Sequence, residues 1–184
     1  MDGKGFVMPE SQVLDAIALL KQDHRTVEDL FAQFEKASGD GRKQTIAEQI
    51  CLELSVHAKI EEEIFYPACR KAGVDSDTMD EANVEHDGAK SLIAELENGA
   101  PGDDFYDAKV KVLSEEIKHH VREEEKPGGV FSQARENDMD LKALGEKMAA
   151  RKKELMTAFE DNGLPPPMTV TMKAPPLEQQ AGRA

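Results

Sequence analysis

The sequence is poor in the residues that stabilise small secreted folds and membrane spans. It has no tryptophan and only two cysteines in 184 residues. A disulfide framework is therefore excluded, and Cys51 and Cys69, which fall within predicted helices, are expected to be buried reduced thiols. Nowhere do about 18 consecutive apolar residues occur, and the N-terminus has no basic segment followed by an apolar run. These absences predict a protein without a membrane span and a cytoplasmic location.

Positive charge is also scarce, because 23 lysines and arginines face 37 acidic residues and the formal net charge is −14. Phosphate backbones and anionic lipid surfaces are poor partners for such a chain on electrostatic grounds. No glycine-rich phosphate loop, nucleophile constellation or basic aromatic surface is present. We therefore expect neither nucleic acid nor a membrane as a partner, and the sequence leaves the identity of any protein partner open.

Alternation typical of strands is nearly missing, and helical periodicity dominates the chain. The pattern predicts five helices, at residues 10–38, 42–72, 77–98, 103–126 and 138–161. Short connections between the first four make neighbours antiparallel, so the fold class is all-α, with an up-down-up-down four-helix bundle. The predicted organisation is an N-terminal extension at 1–9, the bundle at 10–135, an accessory C-terminal helix at 136–162 and an extended or disordered tail at 163–184.

Each predicted bundle helix carries a histidine on its apolar stripe. The four are His24, His57, His86 and His120. Glu61 and Glu124 follow the second and the fourth of these by four residues, which places an imidazole and a carboxylate on one helix face. Burying an unpaired polar group costs about 2–7 kcal/mol, so six such groups in one core need partners. The pattern therefore predicts a metal site made by these six side chains.

The fourth helix leaves an alternative open, because "HHVREEE" contains two overlapping histidine and glutamate pairs. His119 and Glu123 have the same spacing as His120 and Glu124. Leu113 and Ile117 share a face with the second pair, which favours His120 and Glu124 as the inward residues.

Four motifs, "KQDH", "HAKIE", "VEHDG" and "HHVREEE", together resemble the hemerythrin-like HHE cation-binding family over about residues 12–135. The resemblance implies the antiparallel four-helix hemerythrin bundle and a centre of two non-haem iron ions. Glu61 and Glu124 would then be bridging carboxylates. Imidazole and carboxylate ligands suit iron, with manganese as the less favoured metal, and the absence of thiolates disfavours structural zinc.

The chain departs from the oxygen-carrying members of that family in two places. Those proteins have an HxxxH pair in the third helix and, in the fourth, a carboxylate five residues after the histidine. Here Lys90 stands four residues after His86, and Glu124 stands four after His120. The departures count against reversible oxygen carriage. Glu28, four residues after His24, is either an extra carboxylate ligand or a solvated side chain on the helix flank.

The resemblance implies a protein that binds or reduces a small oxidant, namely dioxygen, nitric oxide or peroxide, in sensing or defence and with possible catalase-like turnover. The main alternative is an iron- or oxygen-sensing interaction module without turnover. A ferritin-like oxidase needs two Glu-x-x-His pairs, and only Glu116 and His119 have that spacing. A metal-free bundle with a histidine-rich polar core is the remaining alternative. Tyr66 and Tyr106 lie where they could approach the metals, although most such tyrosines only pack.

Overall fold

The computed structural model of the chain describes residues 14–172, which contain helices, turns and one extended segment but no strand. The helices are α1 (Ala16–Lys36), α2 (Asp40–Ile60), α3 (Tyr66–Ala72), α4 (Ser76–Glu97), α5 (Tyr106–Glu125), α6 (Val130–Glu136) and α7 (Leu141–Asn162), with a π turn at Glu61–Phe65 between α2 and α3. Helices α1, α2, α4 and α5 contact one another in a ring and form the antiparallel bundle. The predicted fold class is confirmed.

Turn chemistry sets the ends of these helices, although α1 begins at Ala16 and not at residue 10 as predicted. Gly73 ends α3 in the left-handed conformation, at φ 88°, which a residue without a Cβ adopts at little cost. Asp15 begins α1 by accepting a hydrogen bond from the Ala18 amide at 2.8 Å. Helix α5 ends at Glu125, two residues before Pro127, as the proline predicts.

The predicted helix at 42–72 differs from the structure, because a π turn interrupts it. The Tyr66 amide donates to the Glu61 carbonyl, five residues earlier, instead of to the residue four earlier. Pro67 follows directly and has no amide hydrogen, and in a regular helix its ring would clash with the Glu63 carbonyl. The wider turn accommodates the proline and brings Tyr66 over Glu61 on the same face.

Two apolar clusters fill the bundle, one on each side of a polar layer. One cluster joins the start of α1 and the end of α2 to α3, α6 and α7, and includes Leu20, Ile60 and Phe65. The other joins the opposite ends of the bundle helices and includes Val27 and Leu54. Cys69 is buried in the first cluster and Cys51 in the second, and both are free thiols, as predicted.

Helix α7 packs against α1, α2 and the π turn. Gly145 permits this close approach, because a Cβ at its position would lie 2.3 Å from the Leu14 carbonyl oxygen and 2.7 Å from the Ala16 nitrogen. The short helix α6 was not predicted. It buries Val130 and Phe131 under the same end of the bundle.

After α7 the chain runs extended over the bundle, and we call residues 163–172 the strap. Asp87 on α4 holds its end, because this buried carboxylate accepts hydrogen bonds from the amides of Val170, Thr171 and Met172 at 2.6–3.1 Å. Lys90 donates to the Met168 carbonyl at 3.3 Å. The part of the predicted tail at 163–172 therefore lies on the bundle. Residues 1–9 and 173–184 lie outside the described residues.

Within residues 14–172, none of the helices combines the length and the hydropathy that crossing a membrane requires.

The approach of α7 predicts opposite effects for two glycine-to-alanine substitutions. Gly145→Ala should lower the free energy of unfolding by about 1–3 kcal/mol, because its Cβ would meet the backbone of α1. Gly88→Ala is the control, since a Cβ there would meet only a Glu116 oxygen at 3.8 Å. It should raise stability by up to about 1 kcal/mol through helix propensity. Urea midpoints at unchanged m-value measure both, and equal effects would contradict the close packing of α7.

Candidate metal centre

The structure brings all six predicted side chains together in the layer between the two apolar clusters. All six are at most 5% exposed, and Glu61 is completely buried. The Nε2 atom of His57 lies 3.2 Å from the Glu61 carboxylate and that of His86 lies 3.3 Å from it. The Nε2 atoms of His24 and His120 lie 3.4 and 3.6 Å from the Glu124 carboxylate.

These atoms form two overlapping groups suited to hold a metal ion. One group contains His24, His57, Glu61 and Glu124, and the other contains Glu61, His86 and His120; within each group the ligand atoms lie within 4.8 Å of one another. Glu61 belongs to both groups. Glu124 also reaches across, since one of its oxygens faces both His24 and His120. Two carboxylates therefore stand between two pairs of imidazoles, as a pair of ions about 3.5–4 Å apart would require.

Several of these atoms are buried with no hydrogen-bond partner in the part of the chain that the structure describes. They include Nε2 of His24 and of His57, Oε1 of Glu61 and Oε2 of Glu124. A buried polar atom without a partner costs free energy, and a metal ion removes that cost by accepting the lone pair. The donor set contains imidazole nitrogens and carboxylate oxygens and therefore fits a divalent transition metal.

The outer nitrogen of each imidazole faces a further carboxylate. The four Nδ1 contacts are His24 with Glu125 at 2.8 Å, His57 with Asp23 at 3.6 Å, His86 with Glu62 at 3.0 Å and His120 with Glu85 at 2.8 Å. Three are hydrogen bonds, and the His57 contact is longer than a hydrogen bond. Such partners fix the orientation of a ligand histidine and increase its basicity. Sequence reasoning missed all four carboxylates.

The four contacts between outer carboxylates and histidines form a closed ring around the bundle. Each outer carboxylate is the sequence neighbour of a predicted ligand on its own helix, and it contacts the histidine of the next helix. The contacts run from Asp23 on α1 to α2, from Glu62 in the π turn to α4, from Glu85 on α4 to α5 and from Glu125 on α5 back to α1. The available signal in the sequence was that each outer carboxylate lies next to a predicted ligand, in the dipeptides "DH", "EE" and "EH".

Basic side chains in turn hold these carboxylates from outside. Lys152 on α7 lies 2.5 Å from Asp23, Lys90 lies 2.7 Å from Glu62, and Lys21 lies 3.1 Å from Glu125. Arg25 also binds Glu125 and His119 faces Glu85 at 3.4 Å. The accessory helix therefore supports the site directly, because Lys152 fixes a carboxylate that faces His57.

Tyr66 is buried between the two inner carboxylates. Its hydroxyl donates a hydrogen bond to Glu124 at 3.0 Å, and it lies 3.4 Å from Glu61. Its ring stacks on His86 with centroids 5.7 Å apart. Burial, followed by the negative charge of both glutamates, raises the pKa of Tyr66 well above its ordinary value. Tyr106 packs in the second apolar cluster instead.

One inner carboxylate, Glu61, and two outer carboxylates raise the pKa values of two of the imidazoles. Burial by itself lowers the pKa of His57, but Glu61 and Asp23 outweigh it and raise that pKa to about 10. Burial is likewise outweighed at His86 by Glu61 and Glu62, which raise its pKa to about 9. Burial alone would raise the pKa of Glu61, yet the two histidines hold it well below its ordinary value.

The other candidates lie outside the cluster. The His119 side chain is 55% exposed, whereas that of His120 is 3% exposed, so the structure places the favoured pair inward. Glu123 binds Lys126 on the surface. Glu28 pairs with Arg25 at 3.4 Å on the flank of α1 and is not brought to the site.

The contact between Glu62 and His86 predicts that substitutions of two neighbouring glutamates have different effects on metal affinity. Glu62→Gln should weaken metal affinity about 10- to 100-fold, because it removes the charged partner of His86. Glu63→Gln is the matched control, since Glu63 contacts Arg151 on the surface and touches none of the six site residues. Competition with a chromophoric chelator measures both affinities. Equal losses in the two variants would contradict the role given to the outer ring.

The raised pKa values predict that metal binding releases protons. At pH 7 His57 and His86 are protonated in the metal-free protein, because their pKa values are about 10 and about 9. A metal ion binds neutral imidazole, so loading with Zn²⁺ should release about two protons per chain. Affinity should therefore rise with pH up to about pH 10 and then level off.

Titration calorimetry in buffers of different ionisation enthalpy measures this release. His119→Gln should leave the number of protons unchanged, because His119 is exposed and lies outside both ligand groups. Zn²⁺ binding at pH 7 without proton release would show that the two imidazoles are already neutral.

Comparison with known proteins agrees with this geometry. The family model described as "Hemerythrin HHE cation binding domain" matches residues 15–127. A solved structure from Mycobacterium kansasii, described as a hemerythrin HHE cation binding domain-containing protein, has a TM-score of 0.68 at 23% identity. The structural match covers 82% of this chain and 95% of the Mycobacterium kansasii chain, so the two chains have the same fold.

Two curated proteins are also similar to the chain in sequence. An uncharacterised protein of Mycobacterium tuberculosis is 26% identical over 151 residues, which cover 77% of this chain and 88% of that protein. A protein of Nostoc sp. described as a DNA nickase is 28% identical over 116 residues, which cover 63% of this chain but only 33% of that protein. Because the family model matches more than half of its length, the chain belongs to the hemerythrin HHE cation-binding domain family.

Proposed function

We propose that the chain is a non-haem di-iron protein that binds or reduces a small oxidant, namely dioxygen, nitric oxide or peroxide. The observation that supports this most is the pair of overlapping ligand groups that share Glu61. Four imidazoles and two carboxylates suit iron, with manganese second. Neither Cys51 nor Cys69 belongs to the two groups, so no thiolate argues for structural zinc.

In this proposal His24 and His57 would hold one ion and His86 and His120 would hold the other, while Glu61 and Glu124 would supply carboxylate oxygens to the pair. A pair of ferrous ions, when bound, would supply the electrons that reduce a small oxidant. The six side chains would not fill every coordination position of two such ions, which would leave room for an oxidant or water.

The residue at position 90 supports binding or reduction over reversible oxygen carriage. Lys90 lies where the oxygen carriers have a further histidine, and its ammonium group binds Glu62 and Asp87 at 2.7 and 3.4 Å. It therefore acts as a partner of one outer carboxylate and of the strap anchor Asp87 instead of as a ligand. The chain would therefore supply one imidazole fewer to a metal pair than the oxygen carriers do.

The protein residues around the pair control protons and water. Tyr66 keeps its proton, because its pKa is raised, and its hydroxyl stands beside both inner carboxylates. It can donate a hydrogen bond to an oxygen atom that arrives there. The outer ring holds each imidazole in one orientation, and apolar side chains of both clusters pack on the two sides of the layer.

A sensing module without turnover is the second candidate, and the unpartnered buried atoms favour it. A layer that contains several such atoms is destabilised without metal, so the stability of the bundle should depend on iron. An iron-dependent stability would let the fold report on iron or oxygen. A cytoplasmic location, predicted from the sequence, is also part of this proposal.

Metal content and spectra of adjacent histidine variants test the di-iron centre. Protein purified in air should contain about two irons per chain and show visible bands that azide or peroxide alters. His120→Ala should lose iron and these bands, because His120 is buried beside Glu124. His119→Ala should keep both, because its side chain is exposed. An intact fold without iron, or equal losses in both variants, would refute the proposal.

The same preparation separates the two candidate functions. Rapid peroxide consumption by the iron-loaded protein, with a metal-free bundle that stays folded, supports reduction. Absence of turnover, with a metal-free chain that unfolds, supports sensing. Circular dichroism before and after chelation measures the second property.

A further inference from the structure

A cavity of about 670 Å³ opens onto the metal layer from one side of the bundle. All four cluster histidines line its inner end. The strap covers its outer side with residues from Leu164 to Val170, and Phe159 near the end of α7 closes it further. Because α7 packs on α1 and α2 while the strap ends on Asp87 of α4, the strap crosses the seam between α2 and α4.

The cavity is too large for the oxidants of the proposed function. A water molecule occupies about 30 Å³ in the liquid, and dioxygen, nitric oxide and hydrogen peroxide are of similar size. Sites for drug-sized ligands are clefts of about 300–1,000 Å³. The volume under the strap is in this second class, so a small oxidant would leave most of it unused.

Apolar side chains make up the walls between the histidines and the strap. They are Val27, Leu54, Ala89, Ile93, Ile117 and Val121. These residues belong to the apolar cluster that fills this end of the bundle. Water in such a space finds few polar partners, whereas an apolar chain is favoured by removal from water. The walls therefore suit an elongated apolar molecule.

The polar contacts for a ligand lie at the histidine end of the cavity. Lys59 and Lys90 are the basic residues that line it, and both are already paired, with Glu63 at 3.5 Å and with Glu62 at 2.7 Å. Asp23 and Glu62 line the same space beside the histidines. The walls therefore offer no unpaired lysine to a head group. An oxygen-containing head group can instead hydrogen-bond at the histidine end.

We propose that this cavity is a binding site for an elongated apolar molecule with one oxygen-containing head group, of the long-chain alcohol or hydroperoxide class. The head group lies toward the four histidines and the chain lies between α2, α4 and the strap. Leu164 packs against the apolar cluster that forms the walls, and Asp87 anchors the far end of the strap. The strap is thus the removable side of the site. This binding requires the cavity alone and does not depend on iron or on turnover.

Fluorescence of the uncharged apolar probe N-phenylnaphthylamine tests the site in the full chain loaded with Zn²⁺, which does not quench as iron does. The probe should bind with about one site per chain, and decanol should displace it. Butanol, which has the same head group and a chain six carbons shorter, should displace it at least about tenfold less well, because it removes less apolar surface from water. No probe binding, or equal displacement by decanol and butanol, would overturn the proposal.

Two pairs of variants locate the binding. Ala94→Phe fills the cavity and should weaken probe binding about tenfold, while Ala108→Phe on the exposed face of α5 should not. Asp87→Ala removes the anchor of the strap and should speed probe dissociation about tenfold. Asp80→Ala on the same helix is its control, because within the described residues the Asp80 carboxylate pairs with Arg70 on the surface and not with the strap.

Equal effects in the members of each pair would place the probe elsewhere and refute the site. The Asp87 pair places no new side chain in the cavity, so it decides the question if Ala94→Phe lowers the stability of the bundle. Because the probe is bound to zinc-loaded protein, this outcome is independent of iron content and peroxide turnover.

Discussion

A buried layer of ionisable side chains is the constraint on which this structure depends. Four imidazoles and two carboxylates cross the middle of the bundle between two apolar clusters, where charge is expensive unless it is paired. The closed ring of outer carboxylates offsets part of that cost by pairing each imidazole on its outer side. Several inner atoms have no hydrogen-bond partner within residues 14–172, which is why the layer suits metal ions better than an ordinary polar core.

The ring also explains why the domain has more than four helices. Asp23, which faces His57, is held from outside by Lys152 on α7, so the accessory helix completes the charge balance of the layer. The same helix leads into the strap, whose end is fixed by Asp87 next to His86 in sequence. The C-terminal part of the chain thus supports the metal layer on one side and closes a cavity beside it.

The sequence predicted the bundle and the six inner residues because both follow from helical periodicity. A histidine on an apolar stripe is visible in one dimension, and so is a glutamate four residues later. The outer carboxylates were missed because each one acts on the next helix, and no spacing along one helix reveals that contact. Glu85 and Asp23 look like ordinary polar neighbours of a histidine until the helices are placed side by side. The strap was only partly predictable, since its anchor at Asp87 joins residues distant in sequence.

The π turn at Glu61–Phe65 acts as a one-residue insertion in an otherwise continuous helix. Each residue of a regular helix advances by about 100° around the axis, so the turn rotates everything after it by roughly that angle. Deleting one residue here would turn Tyr66 away from Glu124 and move Cys69 off the core, and the Pro67 ring would meet the carbonyl of a regular turn. The two parts of this helix therefore present their inward faces in two different registers, and the extra residue of the π turn sets the rotation between them.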